Sequence, residues 1–274
     1  MPLRDGRRVA SLHSVFERTF HEHGRAILGW IAGLATLAVV QLALYPTVRD
    51  NEAFSKIITS YPKAFRALFG IADYTSGPGY LRAELFSVMA PLLIVVFAIL
   101  WGSDLIAGEE ERHTIDVLLA NPISRRRLLL EKWAALLVGT MLLSASLGVV
   151  LAIGAPLVGL RVGASNLWAA VIASALLGLT FGTFALALGA GTGHRGLARG
   201  ISTAVAVAAD LMSSLPDLVN WLRPGRPLSP WYHAVGVDPL SSGFEVAHLG
   251  VLLAIIAVAG CAAVLLFDRR DLAT

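Results

Sequence analysis

Two apolar runs with a dense knot of charge between them constrain this chain more than any other feature. Leu85 to Ile106 and Ala134 to Ile153 each reach the length that crosses a bilayer, about 20 residues. Between them Gly108 to Trp133 reads GEEERHTIDVLLANPISRRRLLLEKW. A compact polar segment with its own short helix therefore sits on one face of a membrane. Composition agrees: hydrophobic residues make up 56% and charged residues 15%, against roughly 25% charged in a soluble domain. Proteins that only pack or anchor in a membrane rarely need such a segment. Proteins that take force from a soluble partner do.

The local chemistry of this segment is readable. Glu109, Glu110 and Glu111 open a short helix, where acid suits the positive end of the helix dipole. Ile115, Leu118 and Leu119 give it one apolar face at three- and four-residue spacing. Pro122 disfavours helix at Asn121 and ends the element. Ser124 caps the next helix. Arg125, Arg126 and Arg127 then occupy the first turn, where cations are electrostatically wrong, so something else must want them. Lipid phosphates, the positive-inside bias or an acidic partner surface would do.

The rest of the chain divides by hydropathy. Residues 5–23 suit an amphipathic helix lying on the membrane, with Leu12, Val15, Phe16 and Phe20 on one side. About 25 polar residues ahead of the first apolar run argue against a cleavable signal. The expected spans are 25–45, 85–106, 133–159, 167–190, 197–215 and 246–267. Residues 46–84 form an outer segment of short amphipathic helices broken at Pro62, and residues 107–132 a polar loop. Residues 216–245 hold five prolines and read as re-entrant or interfacial pieces, with Trp221, Trp231 and Tyr232 at headgroup level. The expected fold is therefore all-α and integral to the membrane, one transmembrane domain over residues 1–274 with six transmembrane helices. In this threading 14 basic residues fall on the side of both termini and 8 on the other. The positive-inside rule makes both termini and the central loop cytoplasmic, in the plasma (inner) membrane.

The central segment resembles the intracellular loop of ABC-2 type transporter permeases. That pattern runs through acidic residues, Gly-Thr, two leucines, Pro, a small residue, Arg, and Lys at the start of the next span. Here it reads Glu109, Glu111, Thr114, Leu118, Leu119, Pro122, Ser124, Arg125 and Lys132, with His113 where the family usually has Gly. Three further stretches resemble the family: residues 189–195, GAGTGHR; residues 229–232, SPWY, with 238–240, DPL; and residues 267–272, FDRRDL. The resemblance implies a membrane permease subunit of an ATP-driven exporter. It implies a partner pair of ABC ATPase subunits that bind ATP and Mg²⁺, and a second permease, identical or homologous. The coupling residues it implies are Glu109, Glu110, Glu111, Arg112, Thr114, Asp116, Leu118, Pro122, Arg125 and Arg126, on a cytoplasmic coupling helix.

Other chemistries are weaker. Gly191, Gly193 and Gly196 spell G-x-G-x-x-G, but a dinucleotide site needs a strand before it, and a span precedes it here. None of Lys56, Lys63 and Lys132 follows a glycine, so no P-loop exists and the chain is not itself the ATPase. No cofactor or catalytic residue is expected in the chain. His21 and His23 point apart on a helix, which disfavours a metal. The 19 arginines and 3 lysines sit beside apolar runs, which suits membrane lipids and not nucleic acid. Ser174, Gly178 and Gly182 permit close helix approach, within a subunit or between subunits. Asp210 falls near the middle of the fifth span, with Ser213 and Ser214 one turn on. A charge there is costly, so these three are expected on the transport path or the subunit interface. The alternative reading is an ion-gradient-driven secondary transporter, which needs several such groups.

Overall fold

The computed structural model describes residues 15–49, 60, 74, 76–112, 124–217 and 219–270, with the backbone alone at 217 and 220. Among these residues every element is helical. In hydrocarbon a backbone must satisfy its own N–H and C=O groups, and a helix does so within one segment. In chain order the helices are α1 (Val15–Arg49), α2 (Gly77–Asp104), α3 (Ala107–Glu111), α4 (Arg125–Leu157), α5 (Ala164–Thr192), α6 (Arg195–Ser214), α7 (Pro239–Ser242) and α8 (Val246–Arg269). Five of them, α1, α2, α4, α5 and α8, are long and apolar enough to cross a membrane. The remaining expected span, the fifth at 197–215, corresponds to α6, which is 20 residues long. It carries Arg195, Arg199 and Asp210 and does not join that set.

Helix α5 organises the bundle. It is apolar on all sides, and 83% of its membrane-length window is buried, against 28% for α1 and for α8. A helix hydrophobic all round belongs in a core, and α2, α4, α6 and α8 all pack on α5. Small residues bring α2 and α5 closest. A Cβ on Gly102 would overlap the Gly182 carbonyl oxygen, and one on Gly178 would lie 2.6 Å from Ile94 Cγ2. The Ser174, Gly178 and Gly182 stripe is therefore used inside the subunit. Trp133 of α4 fits between neighbours: its Nε1 donates to Thr183 Oγ1 at 3.1 Å, and its ring faces Gly260 of α8.

Several boundaries differ from the sequence reading. Helix α1 is continuous where a surface helix over 5–23 and a span over 25–45 were expected; residues 5–14 lie outside the described residues. Its first turns are held by the bundle. Phe16 N–H donates to Glu131 at 3.3 Å, and Phe20 meets Trp101 edge-on at 5.7 Å. Helix α2 begins at Gly77, eight residues ahead of the expected span, because Ser76 Oγ accepts from Gly79 N–H at 3.0 Å and Pro78 suits the first turn. Within it Arg82–Phe86 form a π-helical turn. Helix α4 starts at Arg125, capped by Ser124 Oγ on Arg127 N–H.

After α6 the chain runs through 3-10 turns at Leu215–Asp217 and Asn220–Leu228 and a π-helical turn at Tyr232–Gly236. This segment folds back onto α6. Ser229 Oγ donates to the Ala209 carbonyl at 2.6 Å, and Trp231 Nε1 to that of Ala206 at 3.1 Å. Trp231 is 3% exposed and is thus a buried anchor, not the headgroup-level residue expected; Trp221 is exposed. His233 Nδ1 lies 2.7 Å from His248 Nδ1 of α8, and Asn166 Nδ2 of α5 donates to the Leu240 carbonyl at 2.8 Å. At the same end Tyr74 hydroxyl donates to Glu84, and burial with that bond pushes the Tyr74 pKa up.

Candidate functional site

The opposite end of the bundle gathers the charged residues. Helix α5 ends and α6 begins there across two residues. Gly193 sits at φ +72 and returns its N–H to the Gly189 carbonyl at 2.9 Å. Glycine takes this left-handed conformation without strain. The G-x-G-x-x-G triplet is thus a helix-ending turn.

Helix α3 lies against this turn, and each of its acids reaches a cation on a different helix. Glu109 Oε1 pairs with Lys132 Nζ of α4 at 2.8 Å, with both side chains buried. Glu110 pairs with Arg270 just beyond α8. Glu111 pairs with Arg195 of α6 at 3.3 Å and also accepts the Arg195 backbone N–H at 2.9 Å. Arg112 pairs with Asp104 at 3.3 Å. Asp104 also meets Arg195 at 3.1 Å, Arg199 at 3.8 Å and His23 of α1 at 3.5 Å. The arginine run finds partners too. Arg125 donates to the Arg270 carbonyl at 2.8 Å, Arg126 pairs with Asp268, and Arg127 with Glu131 one turn on at 2.8 Å. Contacts within the chain therefore offset the unfavourable placement of these cations at a helix start.

Six of the residues expected to couple, Glu109, Glu110, Glu111, Arg112, Arg125 and Arg126, come together at this end. Thr114, Asp116, Leu118 and Pro122 lie outside the described residues. The sequence reading missed the in-chain partners Asp104, Arg195, Arg199, Asp268 and Arg270. The available signal was topological: with alternating spans, every one of these charges falls at the same end. Asp210, Ser213 and Ser214 lie elsewhere, toward the far end of α6. Asp210 is half-buried, Ser213 is buried, and Ser214 hydroxyl donates to Asp210 Oδ1 at 3.4 Å. Among the described residues no group of three or more His, Cys, Asp or Glu side chains is placed to hold a metal.

A bundle of membrane-length helices, with a charged connection joined by ion pairs to its neighbours, describes a multi-pass membrane protein. The chain belongs to the ABC-2 transporter family: the family described as ABC-2 family transporter protein matches residues 30–272. It is an ABC transporter permease and a multi-pass transmembrane protein. Permeases of this family generally work with a separate ABC ATPase and dimerise. Comparison with curated proteins finds no match.

Proposed function

We propose that this chain is the permease of an ATP-driven exporter. Residues 107–127 receive the push of a cytoplasmic ATPase, and ATP and Mg²⁺ act only in that partner. In this reading α6 is the fifth of six spans, both termini are cytoplasmic in the inner membrane, and two permeases work with two ATPase subunits. The observation that carries it is the wiring of α3. Through Glu109, Glu110 and Glu111 it is bonded to α4, to the end of α8 and to the start of α6. A displacement of α3 therefore reaches three helices at once. Docking on the ATPase itself falls to the stretch around Thr114, Asp116, Leu118 and Pro122, with Arg126 beside it, 70% exposed at its side chain.

Charge reversal tests the coupling. Glu111→Arg places two cations against each other and lowers ATP hydrolysis coupled to transport severalfold, while insertion and dimerisation persist. Adding Arg195→Glu restores that attraction but sets an acid against Asp104, which Arg195 meets at 3.1 Å, so it recovers only part of the loss. Exposed pairs are worth only about 0.2–1 kcal/mol, so partial recovery is the expected size of the effect. Undiminished coupling in the single variant would leave α3 a passive connection.

Orientation is read by thiol labelling in a background lacking Cys261, which is exposed on α8. Cysteines at Ser76 and Ser242 react with an impermeant reagent on intact cells, and one at Ser124 reacts only after permeabilisation. In the same series Asp210→Cys reports on the path. Reaction with a small hydrophilic reagent is expected if Asp210, Ser213 and Ser214 border a wet route or subunit contact. Labelling of Ser124→Cys from outside would invert the topology, and an unreactive Asp210→Cys variant would remove Asp210 from the path.

A further inference from the structure

Helix α1 packs chiefly on α4, and this leaves a groove between α1 and α2. At the charged end the groove opens into a cavity of about 300 Å³ walled by Ile27, Trp30, Phe97 and Trp101, with Arg112, Arg195 and Arg199 at its polar side. Toward the bundle's middle a second cavity of about 510 Å³ continues from it, sharing Ala26 and Trp30. That second space is lined by Gly29, Gly33, Leu34, Leu93 and Leu143. A Cβ on Gly29 or Gly33 would meet no described atom within 4 Å, so among the described residues the glycine face of α1 borders an unfilled channel.

The polar end carries surplus positive charge. Three guanidinium groups face two carboxylates, Asp104 and Glu111, and His23 adds a titratable ring to the wall. Asp104 is a carboxylate on the same wall and neutralises only part of this charge. Glu22 and Glu109 line a neighbouring cavity, where each has its own cation, Arg18 and Lys132. Arg199 Nε donates to Ser103 Oγ at 2.9 Å and its Nη2 to the Leu100 carbonyl at 3.3 Å. Those acceptors are neutral, so its charge is only weakly matched, by Asp104 at 3.8 Å. Guanidinium groups present forked donors that suit phosphate oxygens. Basic pockets between membrane helices hold anionic lipid headgroups.

We propose that this groove binds one anionic phospholipid of the bilayer, its phosphate on Arg112, Arg195 and Arg199 and an acyl chain along the glycine face of α1. A charged head beside an apolar channel matches a lipid and not a free anion, which would use the first cavity alone. The site shares Arg195 with the ion pair to Glu111 of α3 and Arg112 with the pair to Asp104. Its bound lipid would wedge α1 against α2 and α6 at the end where α3 is wired.

The test uses the full chain in phosphatidylcholine vesicles, titrated with phosphatidylglycerol brominated on its acyl chains. Bromine quenches tryptophan on contact, and Trp30 and Trp101 line the groove. Quenching is expected at a mole fraction about tenfold lower than with brominated phosphatidylcholine. Arg199→Gln should bring the two lipids within about twofold of each other. Gly33→Leu fills the channel and leaves the arginines intact, and it should also reduce quenching by phosphatidylglycerol; circular dichroism confirms that each variant folds. Millimolar inorganic phosphate should not reverse the quenching. Equal quenching by both lipids in the parent protein overturns the proposal. So does reversal by phosphate alone, or a phosphatidylglycerol preference unchanged in Gly33→Leu.

Discussion

Gly102→Val is expected to abolish most of the folded protein. Membrane helices gain little from burying apolar surface against one another, because lipid is equally apolar. Close backbone approach between small residues is what holds them. At Gly102 that approach is extreme, since even a Cβ overlaps the Gly182 carbonyl, and a Cβ on Gly182 would lie 2.8 Å from that of Ala98. The obstructing atoms are backbone and cannot turn aside as a side chain end would. Overpacking a core costs about 1–3 kcal/mol where side chains can yield, and here the cost sits at or above the upper end. Because α5 is the helix on which four others pack, a displaced α2 disturbs the whole bundle. Thermal unfolding of detergent-solubilised protein and its elution as a single symmetric peak measure the effect. Gly250→Val is the control, as a Cβ there meets nothing within 4 Å and should leave the melting temperature near that of the parent. A Gly102→Val protein as stable as Gly250→Val would mean that α2 and α5 do not pack in this way.

What the sequence made legible and what it hid divide along a physical line. Apolar runs are a local signal, and the runs at 85–106, 134–153 and 246–267 lie largely within helices of membrane length. The Ser124 cap is equally local and is present. Residues that act through partners far along the chain were harder. Glu110 and Arg270 are 160 positions apart, and no spacing rule joins them. The acids of α3 therefore read as a surface offered outward, when each is first engaged inside the subunit. Trp231 misled because an indole is at home in headgroups, yet the Ala206 carbonyl and the small face of α6 gave it a buried seat. The continuity of α1 was hidden for a related reason. Its polar start looks interfacial alone, but Glu131 and Trp101 give it a protein surface to lie on. The weak apolarity of α6 follows from Arg195 and Arg199, which pair with Asp104 at the charged end, and from Asp210, which accepts from Ser214.

Lys132→Met and Glu109→Met, made singly, should each destabilise the protein by about 3–5 kcal/mol, the cost of breaking a buried ion pair from one side. The pair lies 2.8 Å apart, with side chains 3% and 9% exposed, so water cannot replace the lost partner. The double variant is expected to recover most of that loss, because apolar side chains of similar size in place of both ions remove the desolvation cost along with the attraction. Stability and coupling should then part company. Glu109 is the link between α3 and α4, and two thioethers supply no directed bond between them. The double variant should melt near the parent temperature yet show reduced transport-coupled ATP hydrolysis, whereas a purely structural pair would recover both together. Melting curves and ATP hydrolysis measured on the same four proteins separate these outcomes. Single variants as stable as the parent would place Lys132 and Glu109 in contact with water and remove the pair from the rigid path between α3 and the bundle.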